Sequence, residues 1–151
     1  MITTHDYNVT VTGTGAKSGI LRAPADGLPE MTVASPPQFG GPEHLWSPEH
    51  LFVAAVASCL MTTFRSIADH SGVEVLGYSD QSTGRLQRGE DGLYSIDRIT
   101  LRPTVVISEG SAPERTRRLL EKAEKVCLIG RSVHSETTLE PTILVRHQVG
   151  T

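Results

Sequence analysis

Cys59 and Cys127 are the residues of this 151-residue chain best suited to covalent chemistry. A thiol reacts as its thiolate, and a second thiol beside it captures the oxidised product as a disulfide. Such a bridge forms without strain when the two Cα atoms lie about 4.4–6.8 Å apart. Residues Met1 to Thr12 are polar and alternating, not a basic-plus-apolar leader, so a cytoplasmic protein is expected. There, two cysteines point to free or redox-cycling thiols rather than a structural bridge. The ordinary alternative is a pair of small buried hydrophobes. Apolar surroundings raise a thiol's pKa and make it inert, so a reactive Cys59 needs a cation beside it. The sequence offers Lys17, Arg22 and Arg65; Arg65, six residues on, falls on the far side of the same helix.

Other chemistries find less support. Six histidines and two cysteines show no Cys-x2-Cys or His-x3-His spacing, so neither a metal site nor a cofactor is expected. His50 lies nine residues before Cys59, about 13 Å along a helix, too far to be its base; His134 has no place in the pattern. The run Gly13 to Gly19 matches neither phosphate-binding fingerprint and reads as a hairpin turn or a bulge. A net charge of -3 argues against a nucleic-acid partner.

Two helices must position the thiols. Ser47 is a good N-cap, Pro48 suits the first helical position, and Glu49 faces the positive end of the helix dipole. From Leu51 to Phe64 the residues are apolar or small all the way round, which predicts a helix buried on every side. That stretch is too short and too seeded with Ser and Thr for a membrane span of roughly 20 apolar residues. The helix is expected to run to His70 and to stop at Ser71-Gly72. A second helix starts with a capping box, Ser111 and Glu114. Leu119, Leu120, Ala123, Val126 and Cys127 form its apolar face. Both cysteines therefore point into the core, where they are expected to meet.

Strands supply the rest. Tyr7, Val9 and Val11 alternate with polar residues, predicting a strand with one wet face. Ile20–Ala23 and Met31–Ala34 are short strands, parted by a turn at Ala25-Asp26-Gly27. The loop Ser35–Pro42 is fixed by three prolines and two glycines. It carries Phe39 and leads to Trp46, either as a lid over a pocket or as simple packing. Val73–Arg88 and Leu93–Ser108 read as one long hairpin about Asp91-Gly92, and Leu139–Val145 as a last strand. The order is α+β, a single domain over residues 1–151. A wholly apolar helix in so small a domain predicts a homodimer that covers it.

The stretch from Trp46 to Cys59, WSPEHLFVAAVASC, resembles the central-helix signature of the OsmC/Ohr family of thiol peroxidases. In that signature a Pro-Glu-x-Leu segment precedes the reactive Cys by ten residues counted from the Glu, the spacing of Glu49 and Cys59. The segment AEKVC ending at Cys127 resembles the family's second-cysteine helix. The resemblance implies an intertwined homodimer with two active sites at the interface and antiparallel sheets packed on two helices. It implies reduction of organic hydroperoxides, with Cys59 as peroxidatic thiol and Cys127 as resolving thiol. An external dithiol, lipoyl-type compounds among the candidates, would restore the pair. Glu49 matches the carboxylate that orients the family's cation. Lys17 stands on the glycine turn where the Ohr branch has an Arg that lowers the thiol pKa. Leu128 stands where that branch has a Pro. Phe39 and Trp46 would line the substrate pocket. Two readings stand beside this one: a family member that binds an apolar small molecule at the interface, or one that carries out another thiol reaction there.

Overall fold

In the computed structural model the central helix, α1, spans Pro48–His70. Ser47 caps it: its Oγ accepts the His50 backbone N–H at 3.2 Å and lies 2.7 Å from His50 Nδ1. Gly72, at φ 68°, lets Val73 N donate back to the Ala68 carbonyl and closes the helix as predicted. Residues 3–23 and 27–147 are described. The chain divides into two units, Met1–Leu51 and Phe52–Thr151, with the boundary inside the first turns of α1.

The first unit is an antiparallel meander of β1 (Thr10–Gly13), β2 (Ser18–Arg22) and β3 (Met31–Ala34). Gly13 pairs with Gly19, and the turn between them carries Lys17. The strand expected from Tyr7 begins only at Thr10, and it has no dry face, since all four of its residues are exposed. Of the turn predicted at Ala25-Asp26-Gly27, the first two residues lie outside the described ones. In the proline loop, a Cβ on Gly41 would overlap the Ser35 carbonyl, so only glycine lets the chain pass there.

The second unit corrects the long strands. Val73–Arg88 breaks into β4 (Val75–Asp80) and β5 (Thr83–Arg88), and Leu93–Ser108 into β6 (Tyr94–Leu101) and β7 (Pro103–Ser108). The last strand likewise divides into β8 (Glu136–Leu139) and β9 (Thr142–Arg146). Pro103 and Pro141 lack the N–H that an unbroken ladder would need, and the three breaks stand side by side. Arg102 ties them together: its backbone N–H donates to Asp80 Oδ1 at 3.0 Å, and its guanidinium reaches Glu140 at 3.1 Å and Thr83 Oγ1 at 2.9 Å. Two sheets result, ordered β4-β7-β9 and β5-β6-β8. In each, an antiparallel pair gains a parallel third strand.

The crossover that a parallel pair requires is α2, Pro113–Val126, between β7 and β9. Its cap differs from the prediction. Ala112 holds the N-cap position with no side-chain bond, while Ser111 Oγ instead accepts the Glu74 backbone N–H at 3.1 Å. Serving β4's approach outcompetes capping.

The core joins α1, α2 and the sheets through Val56, Leu60, Phe64, Ile99, Leu101, Val105, Ile107 and Leu120. Each such side chain contributes about 1.5–3 kcal/mol relative to exposure. The α1 residues buried here are Val56, Leu60, Phe64 and Ala68, a stripe spaced by one turn. The helix is thus not buried on every side within its own chain. At 23 residues α1 is longer than its apolar stretch alone and passes a length-and-composition test for crossing a membrane, a test that a core helix passes too. What ties α1 to the fold is the sealed stripe.

Candidate active site

Cys59 sits midway along α1, half-buried, and Cys127 sits buried at the C-cap of α2. Both thiols are free and they face each other across the two helices. Cys59 is one residue before the sealed position Leu60, and Cys127 is one turn beyond the sealed Ala123. These placements aim both side chains at the seam between helices.

Their protons are unequal. Burial pushes the Cys59 thiol up, but hydrogen bonds more than offset it, so the net shift is downward. The donors are the Cys127 thiol, the Ile129 backbone, the Thr63 hydroxyl and the Leu128 backbone. Thr63 Oγ1 lies 3.9 Å from the Cys59 sulfur, one helical turn on. Cys127 moves the other way, up to about 11, through burial first and then through its bond and charge repulsion with Cys59. Cys59 therefore ionises first while Cys127 keeps its proton and donates it to the thiolate. That is the state in which one sulfur can attack and the other can wait.

The remaining candidates lie in the first unit. Lys17 Nζ donates to the Phe39 carbonyl at 2.7 Å. Glu49 occupies the first turn of α1, and its Oε2 is buried without a hydrogen-bond partner among the described residues. Phe39 ends a 3₁₀ turn, Pro37–Phe39, and is 42% exposed. Trp46 is 51% exposed, bridges β3 at Val33 and stands edge-on to the His50 ring at 6.1 Å.

Four participants escaped the sequence reading. Thr63 was legible in hindsight, because a residue four positions after a helical cysteine faces it. The amides of Leu128 and Ile129 carry no side-chain signal. Tyr78, on β4, packs its ring 6.0 Å from Phe64 and holds a buried hydroxyl with no hydrogen-bond partner among the described residues. Burial, then Asp80, then Cys127 push its ionisation upward, so it stays a neutral phenol. A separate polar cleft of about 540 Å³ opens at the strand bends beside Arg102, Glu140 and Thr142. The Arg102 donors there are already taken by Glu140, Thr83 and the Gln81 carbonyl, which makes it structural.

Against known proteins, residues 41–142, which include Cys59 and Cys127, match the family described as OsmC-like protein. The chain belongs to the OsmC-like family. An OsmC-like protein from Vibrio cholerae superposes with a TM-score of 0.83 at 27% identity, over 91% of this chain and 99% of that one. An organic hydroperoxide resistance protein from Elizabethkingia anophelis superposes at 0.76 and 20% identity, over 97% of this chain and all of its own (100%). The uncharacterised protein YmaD of Bacillus subtilis is 24% identical over 112 residues, 72% of this chain and 74% of its own length. The α+β fold of this OsmC-like chain, two helices packed with mixed and antiparallel sheets, is therefore the family's.

Proposed function

We propose that this OsmC-like protein reduces organic hydroperoxides through Cys59 and Cys127. The observation that carries the reading is the facing thiol pair, one sulfur favouring ionisation and the other held protonated near 11. The Cys59 thiolate attacks the outer peroxide oxygen. The O–O bond breaks, sulfur loses two electrons to the peroxide, and the alkoxide leaves as an alcohol after taking a proton. Cys59 becomes a sulfenic acid. Cys127 then attacks that sulfur, water departs, and a Cys59–Cys127 disulfide forms. An external dithiol reduces the bridge by exchange and becomes a disulfide itself.

Family resemblance assigns Glu49 the carboxylate that orients the cation, and Lys17 the cation. The unpartnered Glu49 oxygen supports this, since a buried carboxylate oxygen without a donor is costly unless a ligand or cation visits it. Phe39 and Trp46 are assigned to the organic group, for which their exposed rings offer apolar surface. The reading carries a cytoplasmic setting, where dithiols stay reduced. It also carries a homodimer. The apolar helix α1 leaves Phe52 37% exposed and only one stripe sealed, which supports a second copy as its cover.

The test is turnover. Cumene, tert-butyl and hydrogen peroxide are each supplied with a dithiol, and peroxide consumption is followed. The organic peroxides should be consumed faster than hydrogen peroxide, and Cys59→Ser should abolish the reaction. Equal, slow consumption by the parent and Cys59→Ser would remove the proposal.

A further inference from the structure

Lys17 holds one loop at two points. It stands just before β2, which pairs with β3 from Ser18 opposite Ala34. Its carbonyl accepts the Ser35 backbone N–H at 3.0 Å, where the loop leaves β3. Its side chain reaches the far end of the same loop, and Nζ donates to the Phe39 carbonyl at 2.7 Å. Between these points the loop is wound on itself: Phe39 N donates to the Pro36 carbonyl at 2.9 Å, Gly40 N to the Pro37 carbonyl at 2.9 Å and Gly41 N to the Pro36 carbonyl at 3.2 Å. Gly40 turns the chain at φ 76°, a conformation that glycine adopts without a Cβ clash. A Cβ there would also overlap the Lys17 ammonium, so the glycine opens the space that the ammonium fills.

We propose that Lys17 is a positioning residue: it clamps residues 35–41 to the sheet of β1, β2 and β3 and so fixes where Phe39 presents its ring to the organic group of a substrate. The bond is charge-assisted, which makes it stronger than a neutral pair, and a neutral carbonyl leaves the ammonium its charge. The residue type suits the acceptor. A single carbonyl is met by one N–H of a point-charge ammonium on a flexible stem, and a bidentate fork would gain nothing there. The loop thus matches Lys17 as it stands, where the Ohr branch has Arg. Trp46, which follows the loop, is tied to the same sheet, its carbonyl accepting the Ala34 backbone N–H at 2.9 Å. Both exposed aromatics therefore stand on a frame that Lys17 closes.

The inference rests on the proposed function for its ligand, since it takes Phe39 to face the organic group, but its test needs neither peroxide nor thiol. Amide exchange with solvent is measured by NMR at Phe39, Gly40 and Gly41 in the parent, in Lys17→Met, which keeps the stem and drops the donor, and in Lys17→Arg, which keeps a donor. Gly92, whose amide donates to the Gly89 carbonyl at 3.0 Å in a separate turn, is the control. A hydrogen bond of ordinary net strength is worth about two- to tenfold in an equilibrium, so exchange at the three loop amides should quicken by about that factor in Lys17→Met. Lys17→Arg should stay within about twofold of the parent, and Gly92 should not change. Cumyl alcohol, the unreactive alcohol of cumene hydroperoxide, is then titrated against each protein and followed by the Phe39 ring resonances. The parent and Lys17→Arg should bind it alike, and Lys17→Met should bind it about two- to tenfold more weakly. Unchanged loop exchange in Lys17→Met would overturn the clamp. Faster exchange with equal binding, or Phe39 resonances indifferent to the alcohol in the parent, would overturn the positioning role. Peroxide turnover failing while loop exchange and binding both respond would sink the enzyme reading alone.

Discussion

Two thiols that share one hydrogen bond give up their protons in separated steps. Cys59 has a folded pKa below its ordinary value, so its contribution to stability is present above the unfolded value and lost as pH falls through the folded one. Cys127 is raised, so its contribution is complete below about 8.5, the unfolded value, and lost as pH rises through about 11. Thiolate absorbance should therefore show one thiolate per chain forming below the ordinary thiol range and a second only near 11. Cys59→Ser should delete the early step, and simultaneous ionisation of both thiols would contradict the assignment. Tyr78 offers a second check at this scale. A buried hydroxyl without a partner gives little to lose, so Tyr78→Phe should leave the melting free energy unchanged or raise it by up to about 1 kcal/mol. A loss of about 2 kcal/mol in thermal melts would reveal a partner. The cysteines were legible in the sequence because apolar periodicity placed both on core-facing helix positions. The amides of Leu128 and Ile129 were not, because every residue carries an amide and only the turn after α2 aims these two.

Elements carry a sharper steric claim. Gly84 of β5 lies against Val53 of α1, and a Cβ there would overlap Val53 Cγ2 and sit 3.4 Å from Ile96. Gly84→Ala should cost about 1–3 kcal/mol by overpacking, read from urea unfolding. Val53→Ala, added to it, should return part of that loss, and strictly additive losses would contradict the contact. The strands show how far periodicity reads. Alternation in Leu93–Ser108 located β6 and β7, yet a two-residue period runs on through a bend and so hid the division between sheets. Pro103 and Pro141 were the available signal, as residues that interrupt a ladder. The α2 cap failed for a related reason: Ser111 and Glu114 fit a local rule, but the Glu74 amide, 37 residues away in sequence, takes the hydroxyl.

For the whole molecule, the sequence predicted a helix without a wet face, and the single chain seals only the stripe through Val56, Leu60, Phe64 and Ala68. Tyr7, Val9 and Val11 are likewise exposed, at 88%, 65% and 66%. Periodicity reports that a face is apolar and is silent on whether the same chain or another covers it. A homodimer burying on the order of 2,000 Å² or more is the expected cover. Sedimentation should give a dimer at micromolar concentration, and a stable folded monomer there would count against it. The central claim, that Cys59 and Cys127 act in sequence on one peroxide, has a direct single-turnover test. Reduced protein is mixed with one equivalent of cumene hydroperoxide, without dithiol, and the thiols are mapped by peptide mass. The account predicts one cumyl alcohol per chain, a Cys59–Cys127 disulfide in the parent, and a trappable sulfenic acid on Cys59 in Cys127→Ser. Intact peroxide with both thiols still free would contradict it.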